Sequence, residues 1–147
     1  MADPLAMSRD HVIAFLARRQ QHWAARDAAA LTADHTEDSI VHSPLFGVVT
    51  GRSEIAKTYE NLFRIFADWT FAAEDLIVDG SRAAQIFRVK ATHTSELFGV
   101  AATNRRFEIH GALIFDFHDG LIHRERRLYD FTSLLLQLGV LKAKPGA

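Results

Sequence analysis

Between Phe107 and Phe117 every second side chain is apolar, with Phe107, Ile109, Leu113, Phe115 and Phe117 on one parity and Glu108, His110 and Asp116 on the other. Side chains of a strand point to alternate faces, so the odd set must face a core and the even set must leave it. Asp119-Gly120 follows directly and leads into "LIHRERRLY", a pairing that marks a hairpin between two antiparallel strands. Two earlier runs, "WTFAAEDLIVDG" and "RAAQIFRVKATHT", carry the same β character, separated by Gly80 and by a loop from Glu96 to Asn104. Phe87, Val89, Ala91 and His93 share a face of the second of these, which puts His93 at the inner end of an apolar row.

Upstream the period is helical. Val12, Phe15, Leu16 and Trp23 lie on one stripe from Ser8 to Ala25, with Ser8 as the N-cap. Arg19 falls on that stripe, and a side chain that carries its charge out to water along an apolar stem is the expected explanation. "DAAALTADH" continues as a short second helix, and "SIVHSPLFGVVTG" changes to short β-like runs broken by Pro44 and Gly47. A third helix, capped by Ser53, carries Ile55, Tyr59, Leu62, Phe63 and Phe66 on one stripe. The last segment, "DFTSLLLQLG", reads as a helix closed by Gly139. Helices followed by a curled, mostly antiparallel sheet make an α+β domain with helices covering one face.

At 147 residues the chain has room for one core and a ligand cavity, so a single domain over 1–147 is expected, with 1–7 and 142–147 as frayed termini. Lys and Arg number 17 against 18 Asp and Glu and are spread among them, which argues against a nucleic-acid partner. The chain has no cysteine, which excludes disulfides, thiolate nucleophiles and zinc–thiolate centres and suits a reducing compartment. No apolar run approaches the roughly 20 residues needed to span a bilayer, and "MADPLAMSRDH" lacks a signal-peptide pattern, so a soluble cytoplasmic protein is expected.

The hardest stretch to place is "HRERR", five ionisable side chains in a row from His123 to Arg127 within a strand that must touch the core. Alternation puts Ile122, Arg124, Arg126 and Leu128 on one face and His123, Glu125, Arg127 and Tyr129 on the other, and period alone leaves the inward set open. Charge inside a core is costly unless paired, and Glu125 with Arg127, two apart on one face, are able to compensate each other. Asp130 is equally open: it precedes a helix whose first-turn N–H groups it is placed to cap, and capping alone justifies it. His93 is either a strand-end histidine bonded to backbone or an acid–base group.

From the first helix to "QLG", and most specifically in "THTSELFGVAATNRR" and "DGLIHRERRLYDFTSLLLQLG", the chain resembles the SnoaL-like polyketide-cyclase group of the NTF2-like superfamily. "VHSPLFGVVTGRSEIAKTYENLF" is similar to that superfamily's strand, Gly-Arg turn and long helix. The resemblance implies an NTF2-like conical roll whose curved sheet wraps the helices around an apolar pocket, and a homodimer formed through the outer face of the sheet. It implies that Glu125, Arg127 and Tyr129 line the pocket, that Asp130 matches the cyclases' general base, and that a histidine assists; His93, His110 and His118 are candidates, with His93 favoured by face and depth. The implied catalytic set is then Asp130, His93 and Glu125, with Arg127, Tyr129, Arg19, Trp23, Tyr59, Phe63, Phe87 and Leu113 binding a small apolar molecule.

The related ketosteroid isomerases place an aspartate, a tyrosine and a protonated acid where this chain has Ser43, Arg19 and Leu113, so their reaction is not expected here. The expected activity is proton transfer next to a carbonyl, as in aldol cyclisation or isomerisation, with no metal or organic cofactor. The alternative is a non-catalytic ligand-binding or scaffold protein on the same fold.

Overall fold

The computed structural model describes residues 7–142; the expected fraying of 1–7 and 142–147 falls, apart from Met7 and Lys142, outside the described residues. The chain runs α1 (Arg9–Ala24), α2 (Ala28–Ala33), β1 (His35–Ser43), β2 (Gly47–Thr50), α3 (Arg52–Ile65), β3 (Thr70–Asp79), β4 (Arg82–Thr92), β5 (Arg106–His118), β6 (Leu121–Tyr129) and α4 (Phe131–Leu138). One six-stranded sheet has the order β2-β1-β6-β5-β4-β3. Every neighbouring pair is antiparallel except β1 with β6. The α+β class follows, and the parallel pair is possible because α3 and four strands separate β1 from β6 in sequence, far more chain than a crossover requires.

Local chemistry sets the boundaries. Ser8 caps α1 by accepting from the His11 N–H, as expected from sequence. For α3 the expected cap, Ser53, lies inside the helix; the N-cap is Gly51, whose φ of 91° a side chain would strain. Asp119 and Gly120 both take positive φ, the type I′ geometry that matches the twist of the β5–β6 hairpin. Strand β1 starts at His35, earlier than the apolar runs around Val41 suggest, because its first half is polar and irregular: between His35 and Ile40 its register against β6 shifts.

The core lies in the concavity of the sheet. From β4 and β5 it takes the inward rows Ala83, Phe87, Val89, Ala91 and Phe107, Ile109, Leu113, Phe115, Phe117. These meet Val12, Phe15, Leu16 and Trp23 of α1 and Ile55, Tyr59 and Leu62 of α3. Aromatic rings make the joints: Trp23 stacks on Phe71 at 4.8 Å, Phe71 on Phe87 at 5.4 Å, and Phe15 meets Phe117 edge-on at 5.2 Å.

Candidate functional site

Strand β6 resolves its own ambiguity with a bulge. Asp116 pairs with Arg124 and Phe117 with Ile122, so His123 is the extra residue. A strict alternation would oppose Ile122 to Glu125; the bulge turns both inward, each with no exposed surface. Beyond it the period resumes, so that Glu125, Arg127 and Tyr129 face the concave side while Arg126 and Leu128 are exposed on the convex one. The inward charge is thus a local reset of phase that a single period could not represent.

Glu125 sits among buried partners. Arg127 Nε donates to its Oε2 at 2.6 Å, and Arg19 Nη2 stands 3.7 Å from its Oε1. Arg19 also donates through Nη1 to the carbonyl of Leu31 at 3.0 Å and to Asp34 Oδ2 at 2.9 Å, and through Nη2 to the Tyr59 hydroxyl. Only 1% of Arg19 is exposed, so the expected snorkelling side chain is instead the hub of an interior network. The reason is compensation: a guanidinium with this many acceptors gains more from them than from the reach to water.

His35 Nε2 lies 2.8 Å from the Tyr59 hydroxyl and its Nδ1 lies 3.1 Å from Ser39 Oγ. Tyr59 accepts from Arg19, so its own proton goes to His35 Nε2; His35 therefore carries its hydrogen on Nδ1 and donates to Ser39. The irregularity in β1 is what brings His35 and Ser39 together, and Arg52 Nε donates to the His35 carbonyl at 2.9 Å, supplying the partner that the ladder there does not.

The electrostatics follow from burial and neighbours. Burial, reinforced by Arg19, pushes His35 down to about 3, so it is neutral in the working range. Burial alone would raise the Glu125 carboxyl, but Arg127 and Arg19 outweigh it and hold the group below its ordinary value. Burial also raises Tyr59, against the pull of Arg19. The network therefore stands as two guanidinium cations, two carboxylates and a neutral His–Tyr pair.

Next to this network opens an apolar cavity of about 440 Å³, mouth included. Its wall includes Trp23, Leu62, Trp69, Phe71, Phe87 and Leu113, with Arg127, Tyr129 and Ser43 as its polar side chains. Ser43 Oγ is already engaged, accepting from the N–H groups of Leu45 and Phe46 at 3.1 Å each. Arg127 is fixed from two sides, by Glu125 and by the Tyr59 ring 5.3 Å from its guanidinium carbon, and its Nη2 has no partner among the described residues.

Of the residues singled out from sequence, Trp23, Phe87, Leu113, Arg127 and Tyr129 line the cavity together. Arg19, Tyr59 and Glu125 stand behind that wall in the network, and Phe63, half-buried, packs edge-on against Trp23 at 6.1 Å. His93 is fully buried elsewhere, its Nδ1 held by Thr103 Oγ1 at 2.9 Å at the neck of the loop between β4 and β5. Asp130 is exposed and caps α4, accepting from the Ser133 N–H at 2.9 Å. Sequence reasoning missed Asp34, His35 and Ser39, whose meeting depends on the β1 irregularity, and Trp69 and Phe71, whose inward direction was readable from the alternation at the start of β3.

The family model for SnoaL-like polyketide cyclases matches residues 14–138, nearly all of the chain. The chain belongs to that family. Among solved structures it is similar to AclR from Streptomyces galilaeus, a proposed hydroxylase, at 23% identity and TM-score 0.80 over 94% of this chain and 87% of that one. IdmH from Streptomyces antibioticus, a proposed polyketide cyclase, matches at 22% identity and TM-score 0.71 over 85% and 96%. An NTF2-like protein of unknown function from Burkholderia pseudomallei matches at 16% and 0.76 over 90% and 98%. Among curated proteins there is no match. At these identities the likeness establishes the NTF2-like fold, and a fold that carries both a proposed hydroxylase and a proposed cyclase does not choose between reactions.

Proposed function

We propose that this SnoaL-like chain is a small-molecule enzyme that binds an apolar carbonyl compound in the cone and promotes cofactor-free proton transfer next to the carbonyl, as in aldol cyclisation or isomerisation. The observation that carries this reading is Arg127, a half-buried and immobilised cation with a buried N–H, unpaired among the described residues, on an otherwise greasy wall. An enolate oxygen is fully anionic where a carbonyl oxygen is only polarised, so a fixed guanidinium in a low-dielectric site binds the transition state more strongly than the ground state. Glu125 is the proton acceptor in this reading: it is the carboxylate β6 turns inward, and its Oε1 makes no hydrogen bond among the described residues. Asp130 is then a helix cap, and His93 a clamp on the β4–β5 loop.

One observation favours a second reading, binding without chemistry. No carboxylate lines the cavity among the described residues, and the two arginines that hold Glu125 ionised also make it a weaker base. A single experiment separates the two. With 2-acetylnaphthalene as probe in heavy water, NMR follows exchange of the methyl protons. Exchange accelerated by the protein and removed by Glu125→Gln supports the enzyme; saturable binding with exchange at the spontaneous rate supports the carrier, and no binding refutes both.

A further inference from the structure

The polarity of the cavity wall is one-sided. Three of its side chains end in buried N–H groups with no hydrogen-bond partner among the described residues: Trp23 Nε1, Trp69 Nε1 and Arg127 Nη2. All three are donors that cannot accept. Ser43 is already committed to the turn that follows β1. Tyr129 adds a hydroxyl that both donates and accepts, so the wall offers a ligand more places for acceptor atoms than for donors.

The charges behind the wall are paired so that, among the described residues, a cation and no carboxylate reaches the cavity. Arg19 and Arg127 are both interior, and the carboxylate with no exposure that faces them both is Glu125. The other acid of the network, Asp34, lies on the far side of Arg19, keeps 16% of its side chain exposed, and is shared with His22 Nδ1 at 3.2 Å. The two guanidiniums and two carboxylates balance, and what reaches the cavity is the free Nη2–H of Arg127, whose Nε is tied to Glu125.

We infer that the cone takes its ligand as an anion: an aromatic or polycyclic acid whose carboxylate seats on Arg127, whose flat apolar body packs among Trp23, Phe71 and Phe87, and whose further oxygens face the indole N–H groups as acceptors. This rests on the proposed use of the cone as the ligand site, with the carboxylate and the reacting carbonyl oxygen sharing the Arg127 guanidinium, and adds the ligand's charge and hydrogen-bonding sense. A carboxylate gains charge-assisted bonds that a ketone does not, and a carboxamide brings N–H donors against a wall of donors.

Three isosteric probes test this by titration calorimetry on the intact protein: 2-naphthoate, 2-naphthamide and 2-acetylnaphthalene. The expected order puts the naphthoate about tenfold or more tighter than the carboxamide, with that preference lost in Arg127→Met. Equal or tighter binding of the carboxamide, or a preference that survives the substitution, overturns the inference. The wild-type comparison decides by itself should Arg127→Met not fold. Binding of 2-acetylnaphthalene without the naphthoate removes the anion inference and leaves the proposed function standing; failure of all three removes both.

Discussion

His35 sits in an environment that takes it far from its ordinary chemistry, and the departure has a sign. In the folded chain it stays neutral down to about pH 3, whereas the unfolded chain takes a proton near its ordinary value of 6.5. Between those values the unfolded state binds the extra proton, so stability falls as pH falls, by up to about 1.4 kcal/mol per unit. Glu125, depressed in the folded state, adds loss in the same direction only below its ordinary value of 4.5, so the interval from 6.5 to 4.5 keeps the contribution of His35 apart from that of Glu125. Urea melts across that interval should show the slope in the wild type and a flatter one in His35→Gln, whatever that variant's absolute stability. A slope unchanged by the substitution places the titrating group elsewhere. None of this was legible in "HTEDS": the residues that depress His35 come from α1, α3 and β6, and periodicity gives each element's buried face without showing which charges meet there.

At the scale of elements, the sheet depends on one close approach. A Cβ on Gly111 would meet the backbone carbonyl oxygen of Leu128 and, at 2.8 Å, the Phe87 ring. Gly111 pairs with Phe87 on one side and with Tyr129 on the other, at the end of β6 that lines the cone. Gly111→Ala is expected to destabilise the fold by about 1–3 kcal/mol as an overpacking change, read as a lower midpoint in chemical denaturation. Asp130 makes the contrasting case. As a cap on α4 it should contribute about 1 kcal/mol, so Asp130→Ala lowers the melting temperature while probe affinity and methyl exchange stay as in the wild type. Loss of exchange at full stability would instead return it to the role of base. The alternation in "RFEIHGALIFDF" and the Asp119-Gly120 turn made β5, its inward row and the hairpin readable from sequence, because period 2 and a two-residue loop are local properties. The His123 bulge was not readable, since an extra residue is defined only against the partner strand.

The whole molecule was legible to a greater depth than its site. Motifs distributed from the first helix to "QLG" pointed to the conical α+β roll, and Phe87, Leu113, Arg127 and Tyr129 do meet in one cavity wall. The ion network was not legible, because its members lie at positions 19, 34, 35, 59, 125 and 127 and converge only once the cone has closed. The convex face of the sheet leaves Val48, Ile77 and Leu128 more than half exposed. Together with the dimer that the family resemblance implies, this gives an expected light-scattering mass of twice the 16.5 kDa chain, reduced to one chain by Leu128→Asp. A wild-type monomer would contradict that expectation and leave the cone unaffected. In the proposed use of the cone, Arg127 holds a ligand oxygen. A crystal structure of the 2-naphthoate complex tests it directly: the prediction is a naphthyl ring between Trp23, Phe71 and Phe87 with a carboxylate oxygen within hydrogen-bond distance of Arg127 Nη2, and a ligand outside the cone, or one whose carboxylate points to the mouth and away from Arg127, would contradict it.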